Sequence, residues 1–193
     1  MLPGCLESLE GQVDRVVVVD GAYADFPHDR PYSTDETREI ARCYGAEWIG
    51  CPRVGGAFRA WRDEVEKRNA YLVGEEGDWY FQIDADERLV GRIAERRDGA
   101  LYSLMVCRGD GRTAWAQRIF QQRGDTRYEG THYAVWRDGD LLRARTDWVR
   151  IPARQARLVH LTHLRDVERQ RAKRAYRKEM VRRERGYREA YQI

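Results

Sequence analysis

Four consecutive valines, Val16 to Val19, inside the segment VDRVVVVD (Val13 to Asp20), constrain the fold more than any other feature. A half-exposed strand alternates apolar and polar residues. An unbroken β-branched run instead suits a strand covered on both faces, as in a parallel sheet flanked by helices. The punctuation around it agrees. Met1 to Glu10 reads as the end of a short helix closed by Gly11, and Gly21 to Pro31 has the Gly, Pro and polar content of a loop. Ser33 stands three residues before Glu36, in capping-box spacing, so a helix is expected to start there, with Ile40, Cys43 and Tyr44 as its apolar stripe. Gly45 ends it, and Ala46 to Gly50 forms a second strand. Trp61 to Val73 is a further helix closed by Gly74. After the turn at Gly77-Asp78, the aromatic and β-branched run Trp79 to Asp84 is a third strand.

Strands alternating with helices imply βαβ units, whose right-handed crossovers gather the strand carboxyl ends, and with them any ligand site, on one edge. Beyond Gly99 the pattern changes. Ala100 to Cys107, Thr113 to Gln121, Tyr133 to Arg137 and Leu141 to Arg145 are short strands separated by Gly/Asp turns, and antiparallel additions to the sheet are expected. One long helix, about Arg165 to Tyr191, ends the chain. The fold class is therefore α/β, with a mixed, mostly parallel sheet flanked by helices, antiparallel additions and a long C-terminal helix.

At 193 residues the chain has room for one domain with a short appendage, and for a core that needs no staple. Its formal charge of +3 is unevenly spread: residues 164–193 hold 11 Lys/Arg against 5 Asp/Glu, which leaves a mildly acidic body before them. The four cysteines (Cys5, Cys43, Cys51, Cys107) form no C-x-x-C pair, which argues against a zinc site and for a reducing, cytoplasmic setting. No apolar run approaches the roughly 18 residues of a membrane span, and no signal peptide opens the sequence.

The sharpest chemical feature is Asp84-Ala85-Asp86-Glu87, placed where the Trp79 to Asp84 strand emerges. Two carboxylates two residues apart can converge on one hard cation, and Mg2+ or Mn2+ takes oxygen ligands while keeping sites for substrate phosphates. A D-x-D triplet alone is common in solvated turns; its position after a βα unit makes it informative.

The segments VDRVVVVDG, STDET, EVEKRNAYL, GDWYFQIDADERL and RIF…RYEGTHY occur in the order seen in family 2-like glycosyltransferases of the GT-A fold. The resemblance runs from about Leu6 to Tyr133 and more loosely to His163. It implies residues 1–163 as a GT-A-like domain without the family's usual first strand, and residues 164–193 as a basic helix packed on or extending from it. The implied activity is transfer of a sugar, with inversion, from a nucleotide-diphosphate donor (a UDP-sugar foremost) to an acceptor the sequence does not identify, aided by Mn2+ or Mg2+. The resemblance places Asp20, Arg68 and Asp84 at the nucleotide, and Asp84 and Asp86 at the metal. Glu129 or His132 falls in the acceptor-side segment as general base, and His160 or His163 can complete the metal shell. In Leu158 to His163 the two histidines lie three apart, on opposite faces of a strand, so at most one faces the site. Tyr23, Phe26 and His28 lie in the long loop after Asp20, where base contacts are to be sought.

Each residue also has a purely structural reading. Asp20 caps its loop, Arg68 pairs with Glu64 at i, i+4, Glu129 is a turn carboxylate, and a single histidine is a core or surface group. Trp115 and Trp136 fill the core or stack on a sugar ring. Two other functions compete with sugar transfer: nucleotidyl transfer on a similar fold, and a non-catalytic module binding nucleotides or nucleic acid. The terminal helix carries Ala172, Tyr176, Met180, Tyr187 and Tyr191 on one stripe among arginines. It packs on the domain, or meets an anionic partner such as a nucleic acid or a membrane surface.

Overall fold

The computed structural model describes residues 1–24, 26, 30–93, 100–130, 134–142 and 148–161, and in the terminal stretch 167, 168, 170–172, 174–176, 178, 179 and 182. The expected boundary between residues 163 and 164, and most of the helix expected from 165 to 191, lie outside the described residues. The architecture is mixed α/β with a body made mostly of sheet.

After the short helix α1 (Leu2–Glu7), β1 (Val17–Val19) runs parallel to β2 (Glu47–Ile49), joined through α2 (Thr37–Cys43). The βα unit read from the valine run is present, yet Val17–Val19 are only half-buried, because β1 pairs with β2 and with no other strand among the described residues. The capping box is not formed. Helix α2 starts at Thr37 with no side-chain cap, and the Ser33 hydroxyl donates instead to Asp20 Oδ1 at 2.5 Å. A hairpin, β3 (Arg53–Val54) and β4 (Ala57–Phe58), turns at Gly55-Gly56, both at positive φ, a conformation only glycine adopts at no steric cost. Helix α3 (Glu64–Asn69) is shorter than the expected span. Asp63 caps it, its side chain accepting from Glu66 N–H at 2.8 Å.

The main sheet has the order β5-β8-β7-β13-β6, with β5 (Trp79–Phe81), β6 (Glu87–Gly91), β7 (Leu101–Arg108), β8 (Thr113–Gln121) and β13 (Ala156–His160); β12 (Trp148–Arg150) pairs in parallel with the first part of β7. It is mixed rather than mostly parallel. The β7–β8 hairpin stands in the middle of the sheet, making β8 antiparallel to both β5 and β7, while β7 and β13 are parallel. A small antiparallel sheet of β9 (Arg127–Glu129), β10 (Ala134–Arg137) and β11 (Asp140–Leu141) lies beside it.

Strand alternation distributes the core over two faces. Tyr102, Leu104 and Val106 join Ile119, Leu89 and Leu158 in one cluster, while Leu101 and Phe120 pack with Tyr128 and Leu142 in the other. Among the described residues no helix is long and apolar enough to cross a membrane.

One contact fixes the small sheet to α3. The Asn69 amide accepts from Tyr128 N–H at 2.8 Å and donates to Tyr128 C=O at 2.9 Å, completing the backbone bonding of β9 as a third strand would. Asn69→Ala is expected to destabilise the protein by about 1–3 kcal/mol, the penalty for stranded backbone groups. Chemical denaturation measures it, and unchanged stability would show that β9 is held by other means.

Candidate metal centre

Strands β5 and β6 lie at opposite edges of the main sheet, so the segment from Gln82 to Glu87 has to join those two edges. On the way it is bonded to each side. Gln82 N–H donates to Arg118 C=O on β8 at 2.8 Å, and Leu161 N–H, just past β13, donates to Asp86 C=O at 2.7 Å. The β6–β13 register sets Glu87 opposite His160. Cys5 on α1 reaches the turn from below, its Sγ donating to Asp84 C=O at 3.6 Å.

The side chains form one linked network. Arg68 on α3 donates to Glu64 at 3.0 Å and to Asp84 Oδ1 at 3.4 Å. Its other terminal nitrogen and that of Arg118 both donate to the Gln82 amide oxygen, at 2.5 and 2.9 Å, with the amide oriented by these partners. Arg118 then donates to Glu87 Oε1 at 2.6 Å. Among the described residues, four carboxylates (Glu64, Asp84, Asp86, Glu87) thus stand beside two guanidiniums (Arg68, Arg118) and His160. Burying so many ionisable groups is costly unless they are paired and hydrogen-bonded. Asp86 and Glu87 are 1% exposed, whereas the Asp84 side chain is 33% exposed, so Asp84 is the carboxylate that meets solvent.

Ligand atoms of Asp84, Glu87 and His160 lie within 4.8 Å of one another, and His160 Nε2 is 3.4 Å from Asp86 Oδ2. Two donors bound side by side to a cation at about 2.1 Å stand roughly 3 Å apart, so the Asp86–His160 separation suits a shared small divalent ion. Glu87 is pushed up to about 7, first by burial and then by the charge of Asp84, with Arg118 pulling the other way. Burial opposes the charge on Arg68; Asp84 foremost overcomes it and holds the guanidinium well above its ordinary value.

Of the residues named from sequence, Arg68, Asp84, Asp86 and His160 come together. Arg68 keeps both its readings, pairing with Glu64 on its own helix and with Asp84. Asp20, at the end of β1, holds the loop: its Oδ1 accepts from Gly21 N–H and the Ser33 hydroxyl, and its carbonyl accepts from Trp61 Nε1 at 2.7 Å. The Asp20 loop is joined to the centre through α3, where Lys67 Nζ donates to Gly21 C=O at 2.7 Å beside Arg68. Glu129 is half exposed on β9 and pairs with Arg127 at 3.0 Å. His132 and His163, like His28, lie outside the described residues. Trp115 is partly exposed under the Arg150 guanidinium, and Trp136 pairs within the small sheet.

Sequence reasoning missed Glu87, Arg118 and Gln82. For Glu87 a signal existed: an acid three residues after Asp84 has the spacing of a capping box, here used to close a turn. For Arg118 the signal was a cation beside Ile119-Phe120 in a core strand. Gln82 had none.

No family model matches the chain. Over 91 residues it is 32% identical to a TPR repeat-containing protein of Synechococcus elongatus, a match spanning 47% of this chain and 18% of that protein. The matched segment thus covers about a fifth of that relative's length.

The cysteines report on the turn. All four are free, Cys43 exposed and Cys5 and Cys51 buried. Burial, then the charge of Glu87, pushes the Cys5 thiol up to about 12. At pH 8 only about one Cys5 in ten thousand is then the reactive thiolate. Iodoacetamide is expected to label Cys43 first and to spare Cys5 until the protein unfolds, as peptide mass mapping would read. Rapid Cys5 labelling in the folded protein would mean the Asp84 turn is open.

Proposed function

We propose that this chain is a metal-dependent glycosyltransferase that moves a sugar from a nucleotide-diphosphate donor, foremost a UDP-sugar, to an acceptor. The observation that carries the reading is the Asp84–Glu87 turn, where ligand atoms of Asp84, Glu87 and His160 lie within 4.8 Å of one another and His160 Nε2 is 3.4 Å from Asp86 Oδ2. Asp84, Asp86 and His160 would hold Mn2+ or Mg2+, which when bound neutralises the charge developing on a departing diphosphate. The ordered motif resemblance supports the sugar-transfer reading over nucleotidyl transfer.

In this reading Arg68 orients the partly exposed Asp84 toward metal and ribose, while Asp20 shapes the nucleoside side of the edge through its loop. Inversion requires one group to take the acceptor proton. Glu129 is assigned that part: it is solvent-accessible, follows Tyr128, and shares α3 with Arg68 through the Asn69 clamp. The free cysteines fit a reducing, cytoplasmic setting, and the basic terminal stretch suits an anionic acceptor or partner.

Titration with Mn2+ and a panel of nucleotide sugars is expected to give metal-dependent nucleotide binding and slow donor hydrolysis. Asp86→Ala is expected to weaken Mn2+ binding beyond the roughly 10–100-fold typical of losing an outer-shell partner. Glu129→Gln is expected to keep donor binding and lose transfer. Wild-type protein without nucleotide affinity in any divalent metal would overturn the proposal. Release of pyrophosphate from a nucleoside triphosphate would replace it with nucleotidyl transfer.

A further inference from the structure

The geometry points to Glu87 and Arg118 as a positioning pair that shapes the Asp84–Asp86 turn without touching the metal, an inference that rests on the metal-centre reading above. By proximity alone Glu87 would count as a ligand, since it clusters with Asp84 and His160. Its bonding says otherwise. Oε1 accepts from Arg118 Nη2 at 2.6 Å, and Oε2 accepts from Asp84 N–H at 2.9 Å. The Glu87 N–H in turn donates to Asp84 C=O at 2.8 Å. Asp84 and Glu87 therefore close on each other reciprocally, side chain to backbone and backbone to backbone, as in a capping box.

Arg118 holds this closure from the neighbouring strand and does so twice. Its carbonyl accepts from Gln82 N–H at 2.8 Å and its Nη1 donates to the Gln82 amide oxygen at 2.9 Å, before the turn; its Nη2 holds Glu87, after it. One residue thus staples both ends of the segment on which Asp84 and Asp86 ride. Arg118 and Glu87 are both buried, so diverting Glu87 to a metal would strand a buried guanidinium and the Asp84 N–H. The planar fork is what spans two acceptors, and a lysine ammonium has no such fork.

A ligand role and a positioning role differ in sign. If Glu87 were a ligand restrained by Arg118, removing the cation would free a carboxylate and strengthen Mn2+ binding by Coulomb attraction. If the pair positions the turn, the same change weakens binding, by the tenfold or more seen for outer-shell partners. Full-length protein is titrated with Mn2+ alone, with free ion followed by electron paramagnetic resonance, for wild type, Arg118→Met and Arg118→Lys. Both variants are expected to bind at least about tenfold more weakly. An Arg118→Met protein that binds as tightly as wild type, or more tightly, overturns the inference, and Arg118→Lys carries the test should Arg118→Met not fold.

Amide hydrogen exchange on metal-free protein separates this inference from the metal reading. The Asp84 amide is expected to be protected in wild type and to exchange at least tenfold faster in both variants, while the Leu104 and Ile119 amides stay slow. A wild-type Asp84 amide exchanging like an exposed turn overturns the staple whatever Mn2+ does. Protection that behaves as expected in a wild-type protein that takes up no Mn2+ removes the metal reading and leaves the staple standing.

Discussion

Between β5 at one edge of the main sheet and β6 at the other, the chain has five residues, 82–86, in which to pass from edge to edge. In a flat sheet those edges would stand four strand spacings, about 19 Å, apart. The crossing is not fully extended, because Asp84 and Glu87 close a turn. Three extended steps and a turn under 7 Å reach only about 17 Å. The sheet therefore has to curl at this end, drawing its edges together under the turn. Arg118, on β8, holds the crossing as it passes, and Leu161 receives it beyond β13. The positions of Asp84, Asp86 and Glu87 follow from that path.

The same path explains why the centre is so charged inside so modest a core. A turn tied on both sides to the sheet buries part of its own side chains, here Asp86 and Glu87. Buried carboxylates survive only when paired and hydrogen-bonded. Arg118 reaches the turn from β8 and Arg68 from α3, with Gln82 bridging the two guanidiniums through one carbonyl oxygen. Asp84 is the carboxylate left open to water. The donor types present, carboxylate oxygen and one imidazole, are those that suit a hard-to-borderline cation.

Much of this was legible in the chain, for reasons that differ by element. The strand at Trp79 and the β7–β8 hairpin announce themselves through β-branched and aromatic runs bounded by Gly/Asp turns, and Thr113–Gln121 appears with the expected ends. The expected strand end at Asp84 is not found: β5 stops at Phe81, and the D-x-D lies in the turn beyond it. What depends on pairing was not legible. Val16 to Val19 promise a strand covered on both faces, but coverage depends on partners in another part of the chain, and β1 finds one. Ser33 has the right spacing for a cap, yet Asp20, thirteen residues away in sequence, takes its hydroxyl. The antiparallel character of the sheet follows from where the β7–β8 hairpin inserts, a long-range choice that local patterning leaves undetermined.

One described contact ties the basic terminal stretch to the body of the protein. Tyr176, from the stripe expected on the basic terminal stretch, stacks on Tyr23 with ring centroids 5.9 Å apart and meets Phe26 edge-on at 5.6 Å. Both partners belong to the loop that follows β1. That loop is tied to Trp61 by backbone bonds through Ala22 and Ala24, and Lys67 lies 5.5 Å from the Tyr23 ring. Lys67 and Arg68 are neighbours on α3, one bonded to Gly21 and the other to Asp84. Tyr176 is therefore fastened to the Asp20 loop, which α3 joins to the acidic turn. Aromatic stacking supplies a fastening that salt does not weaken. Tyr176 is thus held against a loop that Trp61 and Lys67 themselves hold in place, and α3 carries that linkage on to Asp84.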